Sequence, residues 1–292
     1  MRILVTGAKG QLGRQIVKIL KEGRSEIGQI PDAYNGAEII ETDVDGLDIT
    51  NKEEVLSFGD FDIIFNCAAY TNVNKCEEEE EFAFKINGSG AENLALLAKK
   101  IGAKLVHVST DYVFDGEKSG IYEEEDKCCP VSAYGRTKLA GEQKIKDACD
   151  KYFIVRTSWL YGYYGGNFVK TIRRIATENE SIKVVADQFG NPTNANDLAH
   201  HMLLLGLCDK YGIYHATGNG ICSWHDFATE IVRAFGIECE VKKCTTEEYP
   251  TPAKRPKKSA LSHKNLALAV GDNMRDWKDA LLCFAENVDK EN

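Results

Sequence analysis

At 292 residues, 43% hydrophobic and 28% charged, the chain has the composition of an ordinary globular protein, with room for one large core and an appended lobe. No apolar run approaches the ~20 residues of a membrane span, which points to a cytoplasmic protein. A net charge of −9 argues against nucleic-acid binding, because a phosphate backbone demands a basic face; a small anionic ligand held by local positive charge stays open. Arg2 to Thr6 reads as a buried strand that leaves no room for a signal peptide before the fold begins. Gly7-Ala8-Lys9-Gly10-Gln11-Leu12-Gly13 follows, ahead of a helical stripe of Leu12, Ile16, Ile19 and Leu20. Strand, glycine turn and helix together form the phosphate-binding start of a Rossmann unit. Gly7 allows the tight turn, Gly10 lets backbone approach a pyrophosphate, and Gly13 lets helix pack close to strand, with the helix N-terminus facing the anion. The GxxGxxG spacing is one residue longer than the usual GxGxxG fingerprint.

Lys21 to Asn35 reads as an extended polar loop, and Glu38-Ile39-Ile40 as a second strand leading to Asp43, an acid placed to accept ribose hydroxyls. Asp48-Ile49-Thr50 reads as a turn and N-cap before a helix from Lys52 to Ser57, with flanking the adenine as its other role. Phe61 to Ala69 has the continuous apolar pattern of a buried parallel strand, and its end, Cys67-Ala68-Ala69, is small enough for a flat cofactor to approach. The ligand edge continues through Tyr70, Thr71, Asn72 and Val73. Glu77 to Glu81 reads as a solvated helix start rather than a metal site. A helix from Gly90 to Ile101 buries Leu94, Leu97 and Ala98, and the next strand, from Lys104, ends in Ser109-Thr110-Asp111.

Beyond a long loop lie Tyr134 and Lys138, four residues apart and so on one face of a helix. A neighbouring ammonium lowers a phenol's pKa by favouring the phenolate, so the pair fits a proton donor to a carbonyl oxygen, with Thr110 hydrogen-bonding that oxygen. Alone, Tyr and Lys at helical spacing describe a solvated face equally well; their order after a glycine turn and a hydroxyl strand end makes the set specific. In the second half, Phe153 to Arg156 is a strand, Trp159 leaves it on the ligand side, and Asn167-Phe168 opens an amphipathic helix. Ser223-Trp224-His225-Asp226 reads as a helix cap, with Trp224 and His225 as cap and core. Arg255, in a proline-punctuated basic loop, suits a diphosphate. The ten cysteines contain no CxxC pair and read as reduced thiols.

These motifs resemble the extended short-chain dehydrogenase/reductases, and within them the dTDP-4-dehydrorhamnose reductase family. The matching stretches are TGAKGQLG from Thr6, LDIT from Leu47, NCAAYTNVNKCE from Asn66, VHVSTDYVFDG from Val106, SAYGRTKLAGE from Ser132, RTSWLYG from Arg156, NFVKT from Asn167, DQFGNPT from Asp187 and PTPAKRPKKSAL from Pro250. The resemblance implies an α/β fold: a Rossmann-type doubly wound parallel sheet with a smaller C-terminal substrate-binding lobe, residues 1–162 mainly binding NAD(P) and 163–292 mainly the substrate, with some segments returning to the sheet. It implies reduction of the C4 ketone of dTDP-4-dehydro-L-rhamnose, with Tyr134 as proton donor, Lys138 orienting the nicotinamide ribose and lowering the Tyr134 pKa, and Thr110 on the C4 oxygen. Gly7, Gly10, Gln11, Leu12, Gly13, Asp43, Asp48, Ile49, Cys67, Ala68, Ala69 and Tyr70 would line the cofactor, and Thr71, Val73, Trp159, Asn167 and Arg255 the substrate.

Gln15 stands where some family members place a glutamate of a magnesium site, and a neutral amide is a poorer ligand for a hard cation, so no metal is expected. Asp43 leans the cofactor towards NADH, while Lys9 and Arg14 leave NADPH open. A monomer and a homodimer are equally compatible with the sequence. Dehydratases of the superfamily carry an Asp-Glu pair after the threonine; here Tyr112 follows Asp111, so that acid-base pair is incomplete. A regulatory subunit of animal methionine adenosyltransferase is similar to this family and acts by association. A non-catalytic NAD(P)-binding subunit and another sugar-nucleotide reductase or epimerase are therefore the alternatives.

Overall fold

Side chains along each central strand alternate between two cores, as the two-residue period of a strand requires. Ile3, Val5, Ile63, Phe65, Phe153 and Val155 face one core, while Leu4, Ile64 and Ile154 face the other. A sheet buried on both faces has little use for polar alternation, which is why these segments read as continuous apolar runs. In the computed structural model, which describes residues 1–291, six parallel strands lie side by side in the order Gly212–His215, Tyr152–Thr157, Lys104–Thr110, Ile63–Asn66, Arg2–Thr6 and Glu38–Thr42. Helices Gln11–Glu22 and Ala195–Leu207 cover the first face through Ile16, Ile19, Leu198 and Met202. Helices Lys52–Ser57, Ala91–Ile101 and Ala133–Ala148 cover the second through Val55, Leu94, Leu97 and Ile145. This is the doubly wound Rossmann-type arrangement.

From the first strand the chain runs outward to Glu38–Thr42, then back past it to Ile63–Asn66 on the other side. The winding reverses there, so a crevice opens at the carboxyl ends of Arg2–Thr6 and Ile63–Asn66. Gly7 sits in it with φ +63°, and a Cβ on it would lie 2.7 Å from the Ala68 nitrogen. A Cβ on Gly13 would lie 2.2 Å from the Gly7 carbonyl oxygen, so the helix can begin against the turn only with glycine there.

A third core belongs to the second half of the chain. Tyr161, Ile172, Phe227, Trp277 and Phe284 meet in it, brought by helices Phe168–Glu178, Trp224–Ala234 and Trp277–Asn287. A parallel pair, Ser181–Val185 with Glu240–Cys244, flanks these helices.

Three local expectations need correction. The stretch from Lys21 to Asn35 is a strap, not an extended loop. Its strands Arg24–Ser25 and Gly28–Gln29 pair as a hairpin, and Ile30 and Tyr34 are buried, the Tyr34 hydroxyl donating to the Leu203 carbonyl at 2.6 Å. Two apolar residues four apart in a polar stretch are enough to pin it. The cap of the Lys52–Ser57 helix is Asn51, which accepts from the Glu54 N–H; Asp48 instead accepts from the N–H and hydroxyl of Thr50. The acidic run starts no single helix. It straddles the end of Val73–Glu78 and the beginning of Glu80–Phe84, and three of its carboxylates are tethers: Glu77 accepts from Ala133 N at 2.9 Å, Glu79 from the Tyr70 hydroxyl, and Glu80 from Arg136 at 2.8 and 2.7 Å.

Under the second face, Arg156 and Glu142 form an ion pair at 2% and 0% side-chain exposure, with contacts of 2.9 and 2.7 Å, and Ser109 donates to the same carboxylate at 2.5 Å. Arg156→Met removes the cation and strands the buried carboxylate. It should cost about 3–5 kcal/mol in urea unfolding, and pairing it with Glu142→Leu should recover much of that loss.

Candidate active site

The Ala133–Ala148 helix starts at Ser132, whose side chain accepts from Gly135 N at 3.2 Å. Glu77 and Glu80 hold its first turn from the neighbouring helices. Its glycines let it come close to the backbone around it: a Cβ on Gly135 would lie 2.1 Å from the Tyr112 carbonyl oxygen, and one on Gly141 2.2 Å from that of Asn87. Tyr134 is thereby held beside the end of the Lys104–Thr110 strand, edge-on to Tyr112 with ring centroids 5.6 Å apart.

There the Thr110 hydroxyl lies within hydrogen-bonding reach of the Tyr134 phenol. It also donates to Asp111 Oδ1 at 3.1 Å and accepts from Tyr112 N at 3.2 Å. Burial pushes the Tyr134 phenol above its ordinary value, against the Thr110 hydroxyl, which favours the phenolate. The phenol therefore rests protonated, the form a proton donor needs. Burial likewise pushes the Asp111 carboxyl up to about 6, opposed by hydrogen bonds from Ser259 and Thr110.

Lys138, expected to lower the Tyr134 pKa, is not among the influences that act most on that phenol, which are burial, Thr110, Asp111 and Tyr112. Its side chain is 2% exposed and turned to the strand behind it, where Nζ donates to the Val108 carbonyl at 2.6 Å and lies 3.3 Å from His107 Nε2. Burial brings its own pKa down to about 8, against the Glu142 carboxylate and the Cys67 thiol.

The glycine turn fits a dinucleotide. No side chain caps the first turn of the Gln11–Glu22 helix, and a Cβ on Gly10 would meet only the Gly7 oxygen, at 3.1 Å, so backbone N–H groups stand open to a pyrophosphate. Leu12 contributes backbone alone, its side chain being core. Gln11 donates to the Leu160 carbonyl at 3.2 Å and accepts from Asn167 at 2.9 Å. Asp43 accepts from Lys9 N at 3.1 Å and Val44 N at 2.9 Å, at the edge of a hollow of about 410 Å³ that also includes Arg14, Thr42 and Asp45. Lys9 pairs its ammonium with Asp45. Ile49 is core against Gly90, and Asp48 serves its own turn. Cys67, Ala68, Ala69 and Tyr70 line the crevice half-buried; burial pushes the Cys67 thiol up to about 12, and Tyr70 N donates to Asn87 Oδ1 at 2.8 Å.

A cavity of about 470 Å³ opens between this edge and the second-half helices, lined among others by Tyr112, Phe168, Gln188, Trp224, Tyr249 and Arg255. Arg255 reaches Asn74 Oδ1 at 3.3 Å and holds Thr251. Trp159 has the positive φ of +47° that a bulky side chain rarely adopts, and it is kept there by flat stacking on Trp224, with centroids 3.5 Å apart at 9°, and by Gly190 against its indole. Trp224, read as cap and core, packs against the third core at the helix start and also lines the cavity.

Asn167 is not brought to that cavity. Its amide donates to Gln11 Oε1 and the Gly162 carbonyl and accepts from Lys170 N, so it ties the second half to the glycine turn. Thr71 is exposed and Val73 half-buried at the mouth of the crevice. Gln15 is 1% exposed, with neither amide atom hydrogen-bonded. Among the described residues, no group of three or more His, Cys, Asp and Glu side chains has a metal-holding arrangement. Sequence reasoning missed Asn66 and His107, polar residues in otherwise apolar strands; that anomaly was the available signal.

The family described as the RmlD substrate binding domain matches residues 1–289. A dTDP-4-dehydrorhamnose reductase from Clostridium acetobutylicum has a crystal structure similar to this one, with 48% identity and a TM-score of 0.93 over 99% of this chain and 100% of that chain. A second, from Bacillus anthracis and solved in complex with NADP, has 42% identity and a TM-score of 0.89 over 97% and 98%. The spore coat polysaccharide biosynthesis protein SpsK of Bacillus subtilis is 41% identical over 96% of this chain and 95% of its own length.

Lys138 also fixes a pH dependence. Its folded pKa of about 8 lies below the usual 10.5, so between those values the unfolded chain binds more protons and stability rises with pH. The destabilisation is full below pH 8 and gone above 10.5. Lys138→Met should therefore stabilise most below pH 8, with the gain fading towards pH 10.5; urea unfolding at pH 7 and 9.5 reads the difference, and an equal change at both would contradict it.

Proposed function

The chain belongs to the RmlD family, and from that membership we propose that it reduces the C4 ketone of dTDP-4-dehydro-L-rhamnose to dTDP-L-rhamnose, with Tyr134 as the proton donor. The observation that carries this reading is the position of the protonated Tyr134 phenol: beside Thr110 and edge-on to Tyr112, which lines the 470 Å³ cavity. A bound NADH or NADPH supplies hydride to the C4 carbon. Tyr134 gives its proton to the C4 oxygen as negative charge develops there, and the Thr110 hydroxyl turns its single O–H from Asp111 to that oxygen.

The backbone of Gly7, Gly10, Gln11, Leu12 and Gly13 would hold the pyrophosphate. Asp43 would take the adenosine ribose and Lys138 the nicotinamide ribose, while Asp48, Ile49 and the stretch Cys67 to Tyr70 form the crevice walls. Residues 1–162 mainly hold the cofactor and 163–292 mainly the substrate. Thr71, Val73 and the stacked Trp159 and Trp224 wall the sugar, and Arg255 meets the diphosphate, where its fork suits paired oxygens. No helix among the described residues is long and apolar enough to cross a membrane, and we place the enzyme in the cytoplasm, where its cysteines stay thiols.

Oxidation of NADPH or NADH on addition of dTDP-4-dehydro-L-rhamnose tests the reading. A folded protein that binds the cofactor and does not turn over would refute it. Tyr134→Phe should lower kcat by about 10²–10⁴-fold, the usual scale of general acid catalysis, and leave the cofactor Kd essentially unchanged. Asp43→Asn should weaken NADH binding by roughly tenfold, the scale of one charge-assisted hydrogen bond, and weaken NADPH binding less; equal losses by titration would remove Asp43 from the ribose.

A further inference from the structure

Behind Lys138 runs a chain of buried polar groups from three adjacent strands. Thr6 Oγ1 donates to Asn66 Oδ1 at 2.7 Å, Asn66 Nδ2 meets His107 Nδ1 at 2.8 Å, and His107 Nε2 meets Lys138 Nζ at 3.3 Å. Thr6, Asn66 and His107 are each 1% exposed, in strands whose other members are mostly apolar. The direction of these bonds follows from one backbone group. Ala68 N–H, which can only donate, points at Asn66 Oδ1 from 3.1 Å, so the amide oxygen lies on that side and the amide nitrogen faces His107. His107 Nδ1 must then accept, and a neutral imidazole that accepts at Nδ1 carries its proton on Nε2.

That N–H points at a lysine. An ammonium has three donors and no lone pair, so it cannot accept from Nε2–H, whereas an amine can, while still donating to the Val108 carbonyl at 2.6 Å. We propose that His107 is a positioning residue for Lys138: locked by Asn66 with its proton on Nε2, it presents a donor to the lysine and so favours the neutral amine over the ammonium. The titratable groups facing Lys138 are His107 from its strand, Cys67 beyond the Ile63–Asn66 strand, and Glu142 one turn along its own helix. Cys67 is a neutral thiol, and Glu142 is held by Arg156 and Ser109, so His107 is the group whose tautomer can change the balance. Burial and the lysine both hold the imidazole pKa well below its usual value, keeping it neutral.

The inference rests on the reductase reading only for its effect on turnover. Its test is nuclear magnetic resonance on the full chain without cofactor. The ring-nitrogen shifts of His107 should report the Nε2–H tautomer; the Nδ1–H tautomer would overturn the proposal without any variant being made. In lysine-labelled protein the Lys138 side chain should titrate below about pH 8.5, and in His107→Leu, which keeps the site apolar, its midpoint should rise by about one unit. An unchanged midpoint would mean that burial alone sets it and would overturn the role of His107. If His107→Leu does not fold, Asn66→Asp serves: a carboxylate accepts from Nδ1–H, frees Nε2 to accept and should raise the midpoint with a visible tautomer change; a raised midpoint without that change would also count against the proposal. The alkaline limb of kcat/KM should move with the midpoint. A moved midpoint with an unmoved limb would remove Lys138 from the reaction and leave its coupling to His107 standing.

Discussion

The Glu142 carboxylate is the contact on which the rest of the site depends. It is fully buried, and such a charge persists only where the surrounding groups pair it and fill its lone pairs. Arg156 and Ser109 do so from two adjacent strands, and the Ser109 contact adjoins Thr110. Tyr134, Lys138 and Glu142 follow one another at four-residue intervals, so they share a stripe of the helix. Fixing the last member against the sheet fixes the rotation of the other two. The tyrosine then arrives at the strand end beside Thr110, and the lysine at the strand's flank, where Val108 and His107 hold its amine.

That arrangement also requires the helix to come closer than side chains allow. Gly135 and Gly141 remove the obstacle at the Tyr112 and Asn87 carbonyls, and Asn87 in turn donates to the Tyr70 carbonyl at 3.1 Å and accepts from Tyr70 N. The helix that carries Tyr134 and the loop that borders the crevice are thus braced by one residue, Asn87. It lies in a stretch of π-helix, Lys85–Gly90, whose wider turn marks a departure from regular packing next to the site.

How much of this could be read in the sequence differs by the kind of constraint. The apolar runs at Ile3 to Val5, Ile63 to Phe65 and Phe153 to Val155 had to be parallel strands, because only a sheet covered on both faces buries every residue. The glycine turn and the Tyr134 and Lys138 spacing were visible because each follows from backbone geometry over a few residues. What sequence could not supply was direction. Trp159 and Trp224 are both aromatic residues beside polar turns, and only the stacking at 3.5 Å joins them in one wall. Lys138 sat at the expected place on its helix, yet the position of its Nζ depended on His107 and Val108, some thirty residues away. Asn167 opens its helix as the sequence reads it, and its amide also braces Gln11, a partner that only the fold brings near.

The groups that cost stability gather on one edge. Asp111 is buried with its carboxyl pushed up to about 6, Lys138 is buried with its amine brought down to about 8, and Trp159 holds a positive φ. Asp111 and Lys138 would not be retained for packing alone, since an apolar residue of similar size would satisfy either position without desolvating a charge, and a bulky side chain at positive φ such as Trp159 costs backbone strain. They are held by the parts of the chain that cost nothing: regular strands, two apolar faces and a separate aromatic core. Costly groups gathered beside the site are what preorganisation requires, because groups that must change protonation state cannot also be in their most stable form at rest.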